Sequence, residues 1–249
     1  MITLKTGREI SLMRDAGRIA AQALLAVGEK IRPGVTTWEL DRVANQFIKS
    51  CGAEPTFLGY NNFPASACVS VNSEVIHGLP SKKRVLREGD LVSVDLGATY
   101  HGYIGDTAYT FPVGQLPQEA AALRETTWEA LLAGIAKALP GGKIGDIGAA
   151  VQDLCEARGC SVVRSYTGHG VGRAMHEDPS VPNFGTAGKG LKLRAGMTIA
   201  IEPMVNAGRN HVTVLPDGWT VVTRDGSLSA HMEHTIAITN NGPVILTEA

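Results

Sequence analysis

The chain has 249 residues, 44% of them apolar, and a formal net charge of −1. It can bury a substantial core and offers no general attraction to nucleic acid or to an anionic membrane. No apolar run reaches the length of a membrane span, and the charged start MITLKTGREISLM leads to no signal-type cleavage site. The cysteines Cys51, Cys68, Cys155 and Cys160 form no CxxC pair and read as reduced thiols, as in a cytoplasmic protein.

The first predicted helix runs from about Thr6 to Val27. Thr6 and Glu9 have capping-box spacing, and Ile10, Met13, Gly17, Ala20, Leu24 and Val27 form one stripe. Pro33-Gly34 ends the segment. A second helix starts near Thr37 as cap, uses Leu40, Val43, Ala44, Phe47 and Ile48, and stops before Gly52. Strands follow at Ala67–Val71, Leu91–Gly97 and Tyr103–Phe111. A third helix covers about Pro117 to Ala138, with Pro at a first-turn position. A fourth runs from about Ile144 to Arg158. Further strands fall at Met197–Ile201, Trp219–Thr223 and Ala230–Ile238.

The second set of elements repeats the first. Pro33-Gly34 and Pro140-Gly141, Gly52 and Gly159, Leu86-Arg87-x-Gly89 and Leu193-Arg194-x-Gly196, and Asp95 and Glu202 are all offset by 107 residues. One such pair of turn residues means little; several at one offset imply two related half-domains, roughly 1–112 and 113–249, about a pseudo-twofold axis. No linker-like stretch separates them, so one core and one domain over 1–249 are expected.

The repeat maps an acid onto an acid. Asp95 sits on the phase opposite Val92, Val94 and Leu96, and Glu202 on the phase opposite Ile199 and Ile201. A lone carboxylate in a strand core is costly, so both need partners. Asp106 returns on the next strand after Gly102 and Gly105, and Glu233 stands opposite the phase of Met232, His234, Ile236 and Ile238. A single Glu in a strand is usually solvated, but four acids patterned this way, two of them related by duplication, argue for one site. His169 lies between Gly168 and Gly170, which permit close backbone approach; His77 and His176 each border a turn. Four carboxylates and one imidazole are too oxygen-rich for a structural zinc site. They suit two divalent cations, Mn, Fe, Co or Zn, with a position left for water, and metal-assisted hydrolysis, most naturally of an amide.

The stretches Val94-Asp95-Leu96-Gly97-x4-Gly102-Tyr103-x2-Asp106, Thr167-Gly168-His169-Gly170-Val171-Gly172-x3-His176-Glu177-x-Pro179, Ile201-Glu202-Pro203 and Glu233-His234-Thr235 resemble the type I methionine aminopeptidases of the pita-bread metallopeptidases. The resemblance covers nearly the whole chain. It implies an α+β fold, a curved antiparallel sheet with outer helices and pseudo-twofold halves. It also implies Asp95 as bidentate ligand of one metal, Asp106 and Glu233 as bridges, and His169 and Glu202 completing the other, with Glu202 also the base. His77 and His176 match the histidines that contact the scissile peptide and the tetrahedral intermediate. Phe57, Tyr60, Phe63, Cys68, Met175 and Trp219 match a methionine pocket, Met175 standing where the family often has an aromatic. Some relatives hold a monovalent cation near the residues matching Asn72 and Ser229, in a segment where this chain has Glu74.

The activity implied is removal of the initiator methionine from nascent polypeptides whose second residue is small, in the cytoplasm near the ribosome, by a monomer. A proline-specific relative would share the metal set and usually carry an extra N-terminal domain, whereas this chain begins with the first helix. A type II relative would need a helical insertion, for which the spacing from His169 to Glu202 to Glu233 leaves no room. A binding module that had lost its chemistry would have lost ligands, and all five are present.

Overall fold

The computed structural model describes residues 2–249. Up to Pro112 it contains α1 (Gly7–Gly28), α2 (Thr37–Ser50), β1 (Glu54–Pro55), β2 (Ala67–Val71), β3 (Glu74–Ile76), β4 (Leu91–Tyr100) and β5 (Tyr103–Pro112). Beyond it come α3 (Gln118–Lys137), α4 (Ile144–Ala157), β6 (Ser161–Val162), β7 (Gly168–Gly170), β8 (Glu177–Val181), β9 (Thr198–Ile201) and β10 (Met204–Asn206). β11 (Val212–Val214), β12 (Val221–Thr223), β13 (Ser229–His231), β14 (Glu233–Thr239) and β15 (Gly242–Ile245) complete the order.

Local chemistry sets the helix starts. Thr6 caps α1: its Oγ1 accepts the Glu9 N–H at 3.3 Å, and Glu9 Oε2 accepts the Thr6 N–H at 2.9 Å. The cap of α2 is Thr36, not Thr37, because the reciprocal partner Glu39 is three residues from Thr36. Thr37 Oγ1 instead accepts the Ser81 N–H at 2.9 Å. Pro117 is the N-cap of α3 in extended conformation rather than part of the first turn.

Among the described residues nine strands form one antiparallel sheet in the order β1-β4-β5-β14-β9-β7-β8, with β2 beside β4 and β15 beside β14. It curls into a half-barrel, the α+β pita-bread arrangement. α1 lies across β4 and β5, α3 lies against β9 and β14, and α2 and α4 pack on α1 and α3. Two three-stranded sheets, β13-β10-β6 and β11-β12-β3, border the main one.

The 107-residue offset persists in three dimensions. Gly34 and Gly141 both have φ of 91°, and Gly52 and Gly159 have 72° and 74°. The Gly34 N–H donates to the Leu86 carbonyl, and the Gly141 N–H to that of Leu193. Thr36 bridges Val85 as Lys143 bridges Lys192. The cores match as well. Leu24, Leu40, Leu86, Val92 and Val94 are buried on one side, and Leu131, Ile147, Leu193, Ile199 and Ile201 on the other. These are the same positions, used to seat a helix pair on the sheet.

The structure divides the predicted strand Ala230–Ile238. Ser229–His231 pairs with β10 and Glu233–Thr239 with β5 and β9, so the chain changes sheets at Met232. Strand β12 begins at Val221 rather than Trp219, because Asp217 Oδ1 accepts the N–H groups of Trp219 and Thr220 and holds them in a turn. Strand β4 is buried on both faces as far as Ala98. Its polar phase faces an interior cavity rather than open solvent.

Candidate active site

Strand register brings the acids together. Asp95 faces Ala108 and Gly97 faces Asp106 across β4 and β5, and Ala108 faces Glu233 across β5 and β14. Opposed residues of an antiparallel pair share a face. Asp95, Asp106 and Glu233 therefore share one, with only the small Ala108 between Asp95 and Glu233. β14 also pairs with β9, His234 facing Ile201, so Glu202 at the end of β9 comes alongside Glu233. His169 enters from β7, which pairs with β9 through Gly170 and Ile199.

Hydroxyls lock this arrangement where like charges would push it apart. Thr235 Oγ1 donates to the Asp106 carbonyl at 2.8 Å and accepts the Asp106 N–H at 3.1 Å. Thr107 Oγ1 donates to the Glu233 carbonyl at 2.9 Å. Gly168 and Gly170 allow the approach of β7: a Cβ on them would stand 2.3 Å from the Ala200 carbonyl oxygen and 2.2 Å from that of Asp178.

Ligand-type atoms of Asp106, His169 and Glu233 lie within 4.8 Å of one another. His169 Nδ1 donates to the Gly170 carbonyl at 2.8 Å, a bond in which the carbonyl can only accept. Nε2 is thereby aimed at the acids, 3.6 Å from Asp106 Oδ2 and 3.4 Å from Glu202 Oε1. Burial opposes a charge on this ring, yet Asp106 and Glu202 outweigh it and push its pKa up to about 9. Burial, then Asp106 and Glu202, raise Asp95 and Glu233 well above the usual carboxylate range.

One oxygen each of Asp95, Asp106 and Glu233 is buried without a hydrogen-bond partner among the described residues. Such acids are stable as anions only when a cation meets those lone pairs. A set of carboxylates with one imidazole, its orientation fixed by a backbone carbonyl, fits a divalent ion of the Mn, Fe, Co or Zn type. The residues present therefore fit the group that the chemistry calls for.

Every metal-ligand, catalytic and pocket residue named from the sequence lines one cavity of about 150 Å³. Asp95, Asp106, His169, Glu202 and Glu233 form its polar end, with His77 and His176 beside them. Phe57, Tyr60, Phe63, Cys68, Met175 and Trp219 supply the remaining wall together with Asn61. Phe63 and Trp219 meet edge to face with centroids 5.0 Å apart. Cys68 is buried in β2, and burial together with Asp95 pushes its thiol pKa well up, so it packs as a small apolar group.

His176 lies beside His169, the rings tilted by 53° with centroids 4.3 Å apart, and its Nδ1 shares a 2.8 Å hydrogen bond with the Tyr60 hydroxyl. Burial and His169 lower its pKa. His77 has left-handed φ of 58° and stands edge-on to Tyr166. The next residue must be glycine, since a Cβ on Gly78 would lie 2.4 Å from the Val69 carbonyl oxygen. Burial pulls the His77 pKa down to about 4, so the ring is neutral at neutral pH. Elsewhere, the Asn72 carbonyl accepts the Ser229 N–H at 2.9 Å, and Glu74 Oε2 accepts the Val71 N–H at 2.7 Å.

Sequence reasoning missed Asn61, Asn183 and His231. Asn61 lines the cavity from a tight turn with φ of 48°; the Gly59-Tyr60-Asn61-Asn62 run was the available signal. Asn183 Nδ2 donates to the Glu202 carbonyl at 3.0 Å. His231 places Nε2 3.7 Å from Glu202 Oε2. It stands two residues before Glu233, on the same strand phase, which was its only sequence signal.

Residues 11–240 match metallopeptidase family M24. A methionine aminopeptidase of Clostridium acetobutylicum is 52% identical over 247 residues, which are 99% of each chain. The crystal structure of methionine aminopeptidase from Thermotoga maritima superposes with a TM-score of 0.99 at 48% identity, covering 100% of both chains. The prolidase from Pyrococcus furiosus reaches a TM-score of 0.79 at 27% identity, and the match spans 65% of its chain. Fold, acid cluster and full-length similarity agree: the chain belongs to metallopeptidase family M24, among its methionine aminopeptidases.

Proposed function

We propose that the chain hydrolyses the amino-terminal methionine from polypeptides whose second residue is small, with nascent chains as substrate. Support comes chiefly from one observation: three buried carboxylates, each with one oxygen lacking a hydrogen-bond partner among the described residues, and an aimed imidazole share a small cavity with apolar, polarizable side chains. In this reading Asp95, Asp106, His169, Glu202 and Glu233 would hold two divalent ions. Bound there, such ions supply Lewis-acid polarisation and acidify a water molecule. No helix of the described residues is long and apolar enough to cross a membrane. The whole chain, with half-repeats at about 1–112 and 113–249, works as one catalytic unit in this reading.

The protein groups have separable tasks. Glu202, at the end of β9, takes the proton of the attacking water and returns it to the leaving amine. His77, kept neutral by burial, and His176 donate N–H bonds to the substrate carbonyl as negative charge develops on it. A Tyr60 hydroxyl donating to His176 Nδ1 leaves the Nε2–H for that purpose. Phe57, Phe63, Cys68, Met175 and Trp219 enclose the thioether. The cavity's small volume favours one terminal side chain over an internal segment of peptide.

Incubation of the purified chain with Met-Ala-Ser and Mn²⁺ or Co²⁺ tests the reading. Free methionine is the expected product. Met-Leu-Ser and an Xaa-Pro peptide are expected to be cleaved at least about 100-fold more slowly, consistent with pocket discrimination of several kcal/mol. Failure to cleave Met-Ala-Ser with any divalent ion overturns the reading, and preferential Xaa-Pro cleavage replaces it with a prolidase. Metal analysis after anaerobic purification identifies the ion.

A further inference from the structure

We propose that His231 is a positioning residue for Glu202, holding the face of its carboxylate turned away from His169. The inference rests on the reading of Glu202 as proton carrier and metal ligand, and deepens it. Glu202 follows the last paired residue of β9 and precedes β10, so no ladder hydrogen bond fixes it. Its backbone is held by Asn183, whose Nδ2 donates to the Glu202 carbonyl at 3.0 Å. Its side chain lies between two imidazoles, Oε1 at 3.4 Å from His169 Nε2 and Oε2 at 3.7 Å from His231 Nε2.

The His231 ring is built for this contact rather than incidental to it. The residue is 2% exposed, and Nε2 is buried with no hydrogen-bond partner among the described residues. A core position with no polar task would be filled better by an apolar side chain. The backbone of His231 is pinned on two sides. It faces Met204 across β10 and β13, so it follows the same strand that Glu202 leads into. Thr110 Oγ1 accepts its N–H at 2.9 Å and donates to its carbonyl at 2.8 Å, tying it to β5. Ser93 Oγ meets the same Thr110 hydroxyl at 2.9 Å. The backbone that carries the ring is therefore fixed to β5 and β10 independently of Glu202.

A gap of 3.7 Å is just beyond a hydrogen bond. A shift of Glu202 by less than 1 Å closes it, and Nε2–H then holds Oε2 while Oε1 stays on the cavity side. His231 is not among the described residues that line the cavity, which places it behind Glu202 rather than against substrate. Its effect should fall on turnover and on ion binding, and leave substrate affinity unchanged.

The test compares His231→Leu, His231→Gln and His231→Asn. Gln carries an N–H donor out to the position of Nε2, Asn falls short of it, and Leu has none. Expected for Leu and Asn are kcat about 10- to 100-fold lower and Mn²⁺ affinity about 10-fold weaker by calorimetry, with KM unchanged. Gln should restore both to within about threefold of wild type, the range left by imperfect geometry. Should the Leu variant not fold, the Gln–Asn pair gives the same reading. Unchanged kcat and Mn²⁺ affinity in Asn overturn the proposal, as does a Gln variant impaired as much as Asn. Absence of Met-Ala-Ser cleavage by wild type would overturn the hydrolase reading instead. The Mn²⁺ affinities of the series would still decide whether His231 acts through Glu202.

Discussion

Glu233 shows most directly how function and stability oppose each other at single residues. It is 2% exposed, one oxygen has no partner, and burial with Asp106, Glu202 and Asp95 nearby raises its pKa well above the usual range. Replacing it by Gln removes a buried ionisable group while keeping the shape. Glu233→Gln is expected to raise the melting temperature in EDTA by several degrees, equivalent to about 1–2 kcal/mol. It should also abolish the stabilisation given by Mn²⁺ and nearly all methionine release. Differential scanning fluorimetry with and without Mn²⁺ checks this; a variant less stable than wild type in EDTA would refute it. Asp95 and Glu202 were legible because each breaks a strand's apolar phase and one maps onto the other by the repeat. His231 was not legible as a partner of Glu202. The 28 positions between them hold no period that links them, and only the pairing of β10 with β13 brings the two together.

Among the elements, the loop from Arg173 to Glu177 borders the cavity. Glu177 Oε1 accepts the N–H groups of Arg173 and Ala174 at 2.9 and 3.2 Å, which folds the loop and presents Met175 and His176 to the cavity. Glu177 Oε2 is paired with Lys5 Nζ at 2.5 Å, and the Lys5 N–H donates to the Gly196 carbonyl, so the segment before α1 braces the loop. Lys5→Met leaves this carboxylate without its cation. The change is expected to destabilise the chain by about 2 kcal/mol, less than for a wholly buried pair because Glu177 retains some solvent contact. KM should rise more than kcat falls, since the loop shapes binding. Burial would raise the Glu177 pKa, but Lys5 and the loop N–H groups outweigh it and hold it low. A depressed carboxylate contributes stability above its unfolded pKa and loses it as pH falls through the folded value. The melting-temperature gap between wild type and Lys5→Met should therefore shrink below about pH 4, near the ordinary Glu pKa. A gap independent of pH would show that Lys5 acts by packing alone. The helices were legible from caps and stripes, whereas the sheet crossover at Met232 was not. Ala230–Ile238 keeps one alternating phase through the crossover, and alternation does not say which strand lies alongside.

At the scale of the molecule, the site depends on both repeats. Asp95 and Asp106 come from β4 and β5, His169 and Glu233 from β7 and β14, and Glu202 follows β9. Their mutual repulsion therefore acts across the middle of the curved sheet, where the cores built on α1–α2 and α3–α4 meet. Asp95 and Glu233 have folded pKa values above their unfolded ones, and His169 is pushed up to about 9. For each of these groups the folded state binds protons more tightly than the unfolded chain. Their stabilising contribution is present at low pH and is lost as pH rises through the folded values. Without divalent ions the chain should thus lose stability between pH 5 and pH 8. Ions replace the protons on the same atoms and reverse the trend, because deprotonated ligands bind them more strongly. The melting-temperature difference between Mn²⁺-loaded and EDTA-treated protein should be small at pH 5 and largest near pH 8. Glu233→Gln and His169→Ala should flatten that dependence, with far-ultraviolet circular dichroism unchanged. If the difference is constant from pH 5 to pH 8, the ions do not take the place of protons on these ligands, and the assignment of the five residues to one ion-binding centre is wrong.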